Sequence, residues 1–266
     1  MSMDKHNTKT ALVTGSASGL GYELALLLAK DNYNLILIDI DSVKLEQAKI
    51  NINKTYQTKI EILARDLYVV NIAQEIYNHV TNTEIDVIIN NAGFGLFGTF
   101  HDTDWERESE MLHLHIITTT HLIKLFLPDM VKRGSGRILN LSSLAAFQSG
   151  PLMALYYASK SYLLSFSQAI ANELKGTGVT VTVLCPGPTR TAFQDLVSEG
   201  CNKNKIAFNM ACPKEVATYG YKAMHNGRVV AIPGLFNKFL SILPRMLTRN
   251  RTTKIVRQIQ DKNRDS

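Results

Sequence analysis

Short apolar runs typical of β-strands alternate with helical patterns along most of the chain, and this alternation constrains the fold more than any other feature. The run NLILIDI at 34–40 is apolar without polar alternation, as in a strand that is covered on both faces of a parallel sheet. Right-handed crossovers place the intervening helices on those two faces. We predict an α/β fold with one doubly wound parallel sheet. Its seven predicted strands are 10–14, 34–40, 60–66, 86–93, 136–143, 179–187 and 228–234.

Composition favours one large domain. The chain has 266 residues, of which 45% are hydrophobic and 20% are charged, which is typical of a globular protein. No linker or repeat interrupts the first 230 residues. We predict a single domain over 1–240, with a substrate loop at 190–212, and a basic amphipathic tail over 241–266. The net charge of +6 is spread along the chain and densest after Arg245, so we expect no nucleic-acid partner.

The cysteines and the first residues bear on the cellular compartment. Cys185, Cys201 and Cys212 are odd in number and form no CxxC pair, which favours reduced thiols. The opening MSMDKHNTKT is polar and predicts no secretory signal. No apolar run reaches the ~18 residues of a transmembrane helix. We therefore expect a cytoplasmic protein.

A glycine-rich loop, TGSASGLG at 14–21, follows the first predicted strand and precedes a helix. Glycines at that place allow a tight turn and a close approach of the backbone to a ligand. The N–H groups at the start of the helix are free to bind a pyrophosphate. We predict a dinucleotide site that includes Gly15, Ser18, Gly19, Leu20 and Gly21.

Acidic residues end the next two predicted strands. Asp39 lies 18 residues after Gly21, where a carboxylate hydrogen-bonds a ribose diol and repels a 2′-phosphate. With no basic neighbour, it favours NAD over NADP as the cofactor. A helix cap is the alternative role for an acid there, and Asp41 or Ser42 would serve as that cap. Asp66, which precedes Leu67, is a candidate for the adenine edge or for a cap.

The stretch LYYASKS at 155–161 contains two tyrosines and a lysine on one predicted helix. Tyr156 is four residues before Lys160 and Tyr157 is three before it, so spacing alone leaves both open. Tyrosine has a pKa near 10 and is a poor base at neutral pH. A nearby ammonium group would lower that pKa.

Five motifs follow one another along the chain, namely TGSASGLG (14–21), NNAG (90–93), SS (142–143), YYASK (156–160) and PGPTRT (186–191). With these motifs in the family's order, residues 8–235 resemble the short-chain dehydrogenase/reductase family. The resemblance implies a Rossmann fold and hydride transfer between NAD(H) and a secondary alcohol or ketone. It also implies a homodimer or homotetramer formed through the helices near 105–132 and 154–175.

The resemblance also assigns roles within these motifs. The tyrosine of YxxxK is Tyr156, and the family serine, 13 residues earlier, is Ser143. Tyr156 is then the proton donor, Ser143 donates a hydrogen bond to the substrate oxygen, and Lys160 contacts the tyrosine or the nicotinamide ribose. Cofactor contacts are also expected from Leu67, Asn91, Gly93, Pro186 and Thr191. Asn91 either bridges neighbouring strands or touches the adenosine ribose.

One position departs from the family pattern. The family has an asparagine midway along the helix after the fourth strand, where it supports a water in a proton relay. The alignment places His115 there. A histidine also binds water and carries protons, but it is bulkier and titrates near pH 6.5. His113 and His115 face different ways on a helix, and we expect no metal site.

Apolar residues predict a hydrophobic substrate, such as a hydroxysteroid or a 3-oxoacyl compound. Phe193 and Leu196 lie in the loop at 190–212, and Phe94 would line the opposite side. The tail mixes apolar and basic residues and either lies on an anionic membrane, closes the pocket or packs in an oligomer. A protein that senses NAD(H) without turnover is the alternative function.

Overall fold

The computed structural model describes residues 8–189 and 211–264. Among the predicted site residues, Thr191, Phe193 and Leu196 lie outside this part of the chain, together with most of the predicted substrate loop. No helix within the described ranges is long and apolar enough to cross a membrane.

Seven parallel strands form one sheet in the order β3-β2-β1-β4-β5-β6-β7. This confirms the predicted doubly wound α/β fold. The strand order reverses between β1 and β4, so this sheet has its ligand crevice at their carboxyl ends. The strands are β1 Thr10–Thr14, β2 Asn34–Asp39, β3 Ile60–Ala64, β4 Val87–Asn90, β5 Gly136–Leu141, β6 Val179–Leu184 and β7 Val230–Ala231.

Nine α-helices are described, and a π-helical turn at His113–Thr118 joins two of them into one long rod. A short 3-10 turn follows β5 at Leu144–Phe147. The last helices begin at Leu235, so the predicted domain boundary at 240 falls inside a helix. The helices are α1 Gly19–Lys30, α2 Ser42–Asn53, α3 Ile72–His79, α4 Trp105–Leu112, α5 Thr119–Arg133, α6 Ala154–Glu173, α7 Pro213–His225, α8 Leu235–Met246 and α9 Arg249–Arg264.

Apolar side chains cover both faces of the sheet. On β1, Leu12 points to the face that packs against α3, α5 and α6, whereas Ala11 and Val13 point to the face under α1 and α7. Successive residues of a strand point to opposite faces, which explains why the strand runs are apolar throughout. Each fully buried aliphatic side chain stabilises the fold by about 2 kcal/mol.

A buried chain of hydrogen bonds fixes α6 to the middle of the sheet. Asn90 Nδ2 donates to Asn140 Oδ1 at 2.9 Å, and Asn140 Nδ2 donates to Ser167 Oγ at 2.9 Å. Nearer the carboxyl edge, Ser142 Oγ donates to the backbone oxygen of Lys160 at 2.8 Å. These bonds hold α6 at one height on β4 and β5, and so position the residues that α6 presents at the carboxyl edge.

Candidate active site

The loop after β1 has a shape that only glycine permits at two positions. Gly15 has φ +63°, and a Cβ there would lie 2.8 Å from Ala92 Cα. A Cβ on Gly21 would overlap the Gly15 carbonyl oxygen. Within the described residues, the first turn of α1 has no acidic side chain and Ser18 makes no capping hydrogen bond. Its N–H groups are therefore open to an anion, and the loop fits the pyrophosphate of a dinucleotide.

Asn91 ties this loop to the end of β4. Its Nδ2 donates to the Thr14 and Gly15 carbonyl oxygens at 3.1 and 2.8 Å. The backbone N–H groups of Asn91 and Ala92 donate to Thr14 Oγ1 at 3.0 and 3.1 Å. Of the two roles left open for Asn91, the structure has the bridge between strands; a ribose contact stays a prediction.

Asp39 ends β2 beside the glycine-rich loop. Its Oδ2 accepts from the Ala17 N–H at 2.9 Å, and its Oδ1 accepts from the Asp41 N–H at 3.2 Å. The cap of α2 is Asp41, whose Oδ1 accepts from the Lys44 N–H at 3.0 Å. The helix is thus capped by the neighbour, and Asp39 contributes a half-buried carboxylate to the edge of the loop.

The residues after β3 form a turn that reaches the π-helical segment. Asp66 Oδ1 accepts from the Tyr68 N–H at 3.1 Å, which is the turn-forming role of an aspartate. Leu67 is buried, and its carbonyl accepts from Thr118 Oγ1 at 2.7 Å. The adenine contact of Asp66 and the cofactor contact of Leu67 stay predictions.

Ser143, Tyr156 and Lys160 come together at the carboxyl edge of β5. Ser143 is the second residue after the end of β5. Its Oγ accepts from the Ala145 N–H at 3.1 Å, and it also hydrogen-bonds the Tyr156 side chain. Lys160 Nζ lies 5.7 Å from the Tyr156 ring centroid and donates to the Leu141 carbonyl at 3.1 Å. One helical turn separates the two α6 residues, so both face the strand end.

Burial dominates the ionisation of this group. Burial raises the pKa of Tyr156 to about 12, against the lowering effect of the Ser143 hydrogen bond. Burial lowers the pKa of Lys160 to about 7. The sequence predicted that the Lys160 ammonium lowers the tyrosine pKa, but in the protein alone burial dominates and raises that pKa. Near neutral pH Tyr156 therefore keeps its proton, whereas Lys160 changes its charge.

Tyr157 is turned away from this group. Its hydroxyl accepts from Gln260 Nε2 of α9 at 3.0 Å, and its ring covers Gly150, where any Cβ would overlap it. Tyr157 therefore packs α6 against the last helix. Spacing alone left the roles of the two tyrosines open, and their contacts distinguish them: Tyr156 contacts Ser143, whereas Tyr157 contacts Gln260.

His115 is buried at the centre of the π-helical turn. Ser159 Oγ donates to the Tyr156 carbonyl at 2.8 Å, which uses its only proton. His115 Nδ1, 2.9 Å from that oxygen, must then carry the hydrogen of their bond. Within the described residues, Nε2 has no hydrogen-bond partner. It faces the backbone of Gly93, where a Cβ would lie 2.5 Å from it and 3.5 Å from Lys160 Nζ.

The surroundings of His115 keep its ring neutral. Burial, reinforced by the Lys160 charge, holds its pKa well below the usual value. A neutral ring with hydrogen on Nδ1 has a lone pair on Nε2. The described site thus contains one buried acceptor aimed at the space beside Lys160. A π-helical turn is an irregularity that is frequent at functional sites.

The remaining predicted residues lie at the rim of the site. Phe94 is buried, with the Arg107 guanidinium 4.7 Å from its ring centroid and the His115 ring at 6.4 Å. Pro186 follows β6, and its carbonyl accepts from the Leu144 N–H at 2.9 Å. Their contacts with substrate and cofactor stay predictions.

Two polar residues that position the site were missed in the sequence. Ser159 holds His115 in one tautomer, and Asn140 fixes α6 to the sheet. Ser159 was detectable, since it stands three residues after Tyr156 and shares its helix face. Asn140 was not, because a single amide within a strand run gives no indication of its partner.

The fold and the loop geometry are those of the Rossmann class of dinucleotide-binding proteins. The family model described as short chain dehydrogenase matches residues 9–202. The chain belongs to this family of oxidoreductases.

The names of two relatives indicate substrates of different kinds. The chain is 33% identical over 225 residues to the ketoacyl reductase HetN of Nostoc sp., which covers 82% of this chain and 76% of that protein. It is 32% identical over 200 residues to the mouse 17-beta-hydroxysteroid dehydrogenase type 3, which covers 74% of this chain and 66% of the mouse protein.

A solved structure with a similar fold is the short-chain dehydrogenase from Sphingobium yanoikuyae in complex with NADPH. It has a TM-score of 0.80 and 25% identity, and the match covers 90% of this chain and 91% of that one.

Proposed function

We propose that this protein is an NAD-preferring dehydrogenase or reductase that interconverts a hydrophobic secondary alcohol and its ketone. The observation that carries the proposal is the convergence of Ser143, Tyr156 and Lys160 beside the glycine-rich loop. The hydroxyl of Tyr156 keeps its proton at neutral pH, and Lys160 titrates near neutrality. A proton donor and a group that can restore its proton therefore stand together.

In the reductive direction a substrate oxygen would be placed against Ser143 and Tyr156. A dinucleotide held by the glycine-rich loop would supply the hydride for the carbonyl carbon. Ser143 donates a hydrogen bond to the oxygen as negative charge develops there, and Tyr156 transfers its proton to that oxygen. The Lys160 ammonium then returns a proton to Tyr156. In the oxidative direction the same protons move the opposite way.

His115 is proposed to position the group from which Lys160 receives its proton. Its lone pair on Nε2 and the Lys160 Nζ both border the space beside Gly93. A neutral imidazole there accepts a hydrogen bond from the ammonium or from a water molecule, and it replaces the amide that the family resemblance implies. His115 would then hold the proton carrier without itself becoming charged.

The preference for NAD rests on Asp39. Its carboxylate borders the loop, and a 2′-phosphate brought to the ribose position would meet that negative charge. The Sphingobium relative binds NADPH, so cofactor choice varies among similar folds and depends on local residues such as this one.

The substrate is proposed to be a hydroxysteroid or a 3-oxoacyl compound. The named relatives are a ketoacyl reductase and a 17-beta-hydroxysteroid dehydrogenase, and the buried Phe94 contributes an apolar side chain at the rim of the site. We further propose that the protein works in the cytoplasm as a homodimer or homotetramer.

Turnover of a paired substrate panel tests the proposal. NADH and NADPH oxidation is followed with steroid ketones and with 3-oxoacyl thioesters. We expect Tyr156→Phe to lower kcat by about a thousandfold and to leave NADH affinity, measured by fluorescence titration, near the wild-type value. Tyr157→Phe is the matched control and should stay within a few-fold of wild type.

Two results would contradict the assignment. One is a Tyr156→Phe protein with the wild-type rate, which would remove Tyr156 from the chemistry. The other is a wild-type protein that binds NADH tightly but turns over no compound of the panel. That second result would favour the alternative of an NAD(H)-sensing protein without turnover.

A further inference from the structure

Helix α8 turns its apolar side outward. Ser241, on the opposite side, is buried, and its hydroxyl donates to the Lys238 carbonyl at 2.7 Å. A surface helix of a globular protein normally buries its apolar stripe, so this exposed stripe indicates a partner. Its members are Leu235, Phe236, Phe239, Ile242 and Met246, which are 82%, 70%, 57%, 54% and 76% exposed.

Helices α8 and α9 carry the net positive charge of the chain. Residues 235–264 contain 8 Lys and Arg and 1 Asp, a balance of +7. The whole chain has 29 basic and 23 acidic residues, which leaves 21 basic and 22 acidic residues outside this segment. The single acid, Asp261, is paired with Arg257 at 2.8 Å. The basic residues are Lys238, Arg245, Arg249, Arg251, Lys254, Arg257, Lys262 and Arg264.

Helix α9 is held on the body of the protein by its other side. Thr252, Val256 and Gln260 are buried at helical spacing, and Gln260 Nε2 donates to the Tyr157 hydroxyl. The side of α9 that faces outward carries exposed cations together with Ile255 and Ile259, which are 44% and 55% exposed. The basic and apolar surface of α8 and α9 is therefore fixed in orientation.

The chemistry of this surface selects its partner. A second copy related by twofold symmetry would bring like charges together across the interface. A nucleic acid would neutralise the cations but would leave the phenylalanines of α8 exposed to phosphate and water. An anionic bilayer matches both the apolar and the basic residues of this surface. The apolar side chains enter the acyl boundary, while Lys and Arg contact the phosphate headgroups.

We propose that α8 and α9 bind the surface of an anionic phospholipid membrane. The inference goes beyond the proposed reaction and does not depend on it. The surface lies at the carboxyl edge of the sheet: a Cβ on Gly187, in the loop after β6, would lie 3.0 Å from Asn237 Oδ1 of α8. The bilayer would then adjoin the edge at which Ser143 and Tyr156 stand.

Sedimentation of the full-length protein with vesicles tests this surface. One set of vesicles contains phosphatidylcholine alone, and the other contains phosphatidylcholine with phosphatidylserine. We expect the protein to sediment with the second set and not with the first, and salt to weaken binding because exposed charges are screened. Inorganic phosphate at the same charge concentration, added as a competitor, should not release it.

Four double variants locate the binding residues. Phe236→Ser with Phe239→Ser, and Arg251→Glu with Lys254→Glu, should each lower the partition coefficient at least about tenfold. The substituted side chains are exposed, so the variants should fold, and their activity without vesicles should match wild type. The controls are Phe100→Ser with Val70→Ser and Lys54→Glu with Lys59→Glu, which change equally exposed side chains elsewhere and should bind like wild type.

Two outcomes would overturn the proposal. The first is a wild-type protein that does not sediment with either set of vesicles. If the Phe236 and Phe239 variant alone then changed its mass in light scattering, the surface would be a contact between copies. The second outcome is vesicle binding that the tail variants retain or that the control variants lose equally.

Discussion

Asp39 is a single carboxylate on which the proposed cofactor preference depends. Asp39→Asn keeps the size of the side chain and an acceptor for the Ala17 N–H, but removes the charge that would repel a 2′-phosphate. We expect kcat/KM for NADPH to rise by about tenfold, while kcat/KM for NADH changes by a few-fold at most. Steady-state rates with both cofactors measure the ratio.

The neighbouring Asp41 provides the control for that substitution. Its carboxylate caps α2, so Asp41→Asn should affect stability, by about 1 kcal/mol or less, and leave the cofactor ratio unchanged. If both variants altered the ratio equally, the effect would come from general surface charge. If neither did, Asp39 would only brace the loop through its bond to Ala17.

His115 determines how Lys160 obtains its proton in the proposed mechanism. Reduction requires the charged Lys160, so its rate should fall as the pH rises through the Lys160 pKa of about 7; oxidation should rise over the same range. His115→Phe removes the lone pair beside Lys160 and disfavours the ammonium. We expect the fall in the reductive rate to begin at a lower pH in this variant.

His115→Asn is the matched comparison for this pH profile. An asparagine keeps an acceptor at the position and restores the amide that the family resemblance implies, so its profile should stay close to wild type. Rates are measured from about pH 5 to 9 in both directions, on both sides of the Lys160 pKa of about 7. Identical profiles for all three proteins would reduce His115 to a packing residue.

At the scale of elements, the amide of Asn140 connects two strands with the helix that carries Tyr156. Asn140→Leu leaves the buried Asn90 and Ser167 without the partners they now have. We expect the free energy of unfolding to fall by about 3 kcal/mol, with a loss of kcat because α6 is no longer held in register. Urea denaturation and steady-state rates measure the two effects.

Ser167→Ala tests the last hydrogen bond of this network by itself. It removes the hydroxyl that accepts from Asn140, and we expect the free energy of unfolding to fall by about 1 kcal/mol with little change in kcat. An Asn140→Leu protein as stable as wild type would show that the chain of amides does not anchor α6.

The sequence predicted the elements better than their ends. All seven strands were predicted because a strand that is covered on both faces of a parallel sheet is apolar along its whole length, and such runs are visible in the sequence. The fourth was predicted as 86–93, but β4 ends at Asn90. Its last residues leave the ladder to bond the β1 loop through Asn91, and no local pattern distinguishes them from strand.

The π-helical turn was not predictable for a related reason. HLHIIT has ordinary helical periodicity, and the extra residue per turn depends on contacts outside the segment, such as the bond from Thr118 to the Leu67 carbonyl. The identity of His115 as an unusual residue was visible in the sequence. Its tautomer and its orientation toward Lys160 required the fold.

For the whole molecule, the helices that flank the site also have exposed apolar side chains away from the tail. Ile117 is 54% exposed, Tyr162 is 36% exposed, and the Tyr162 hydroxyl hydrogen-bonds Thr120 at 3.0 Å. These residues lie on the rod formed by α4 and α5 and on α6, the surfaces through which the family resemblance predicts self-association. Such an interface would bury them without involving α8 or α9.

Light scattering after gel filtration tests this arrangement. We expect the wild type to elute as a dimer or a tetramer, and Ile117→Lys with Tyr162→Lys to shift it toward smaller species, because each copy would bring two unpaired charges into the contact. Phe236→Ser with Phe239→Ser should keep the wild-type mass. A wild-type monomer at all concentrations would contradict the prediction. Dissociation caused only by the tail variant would move the contact to α8 and would count against the membrane surface as well, so this one measurement separates the two faces of the molecule.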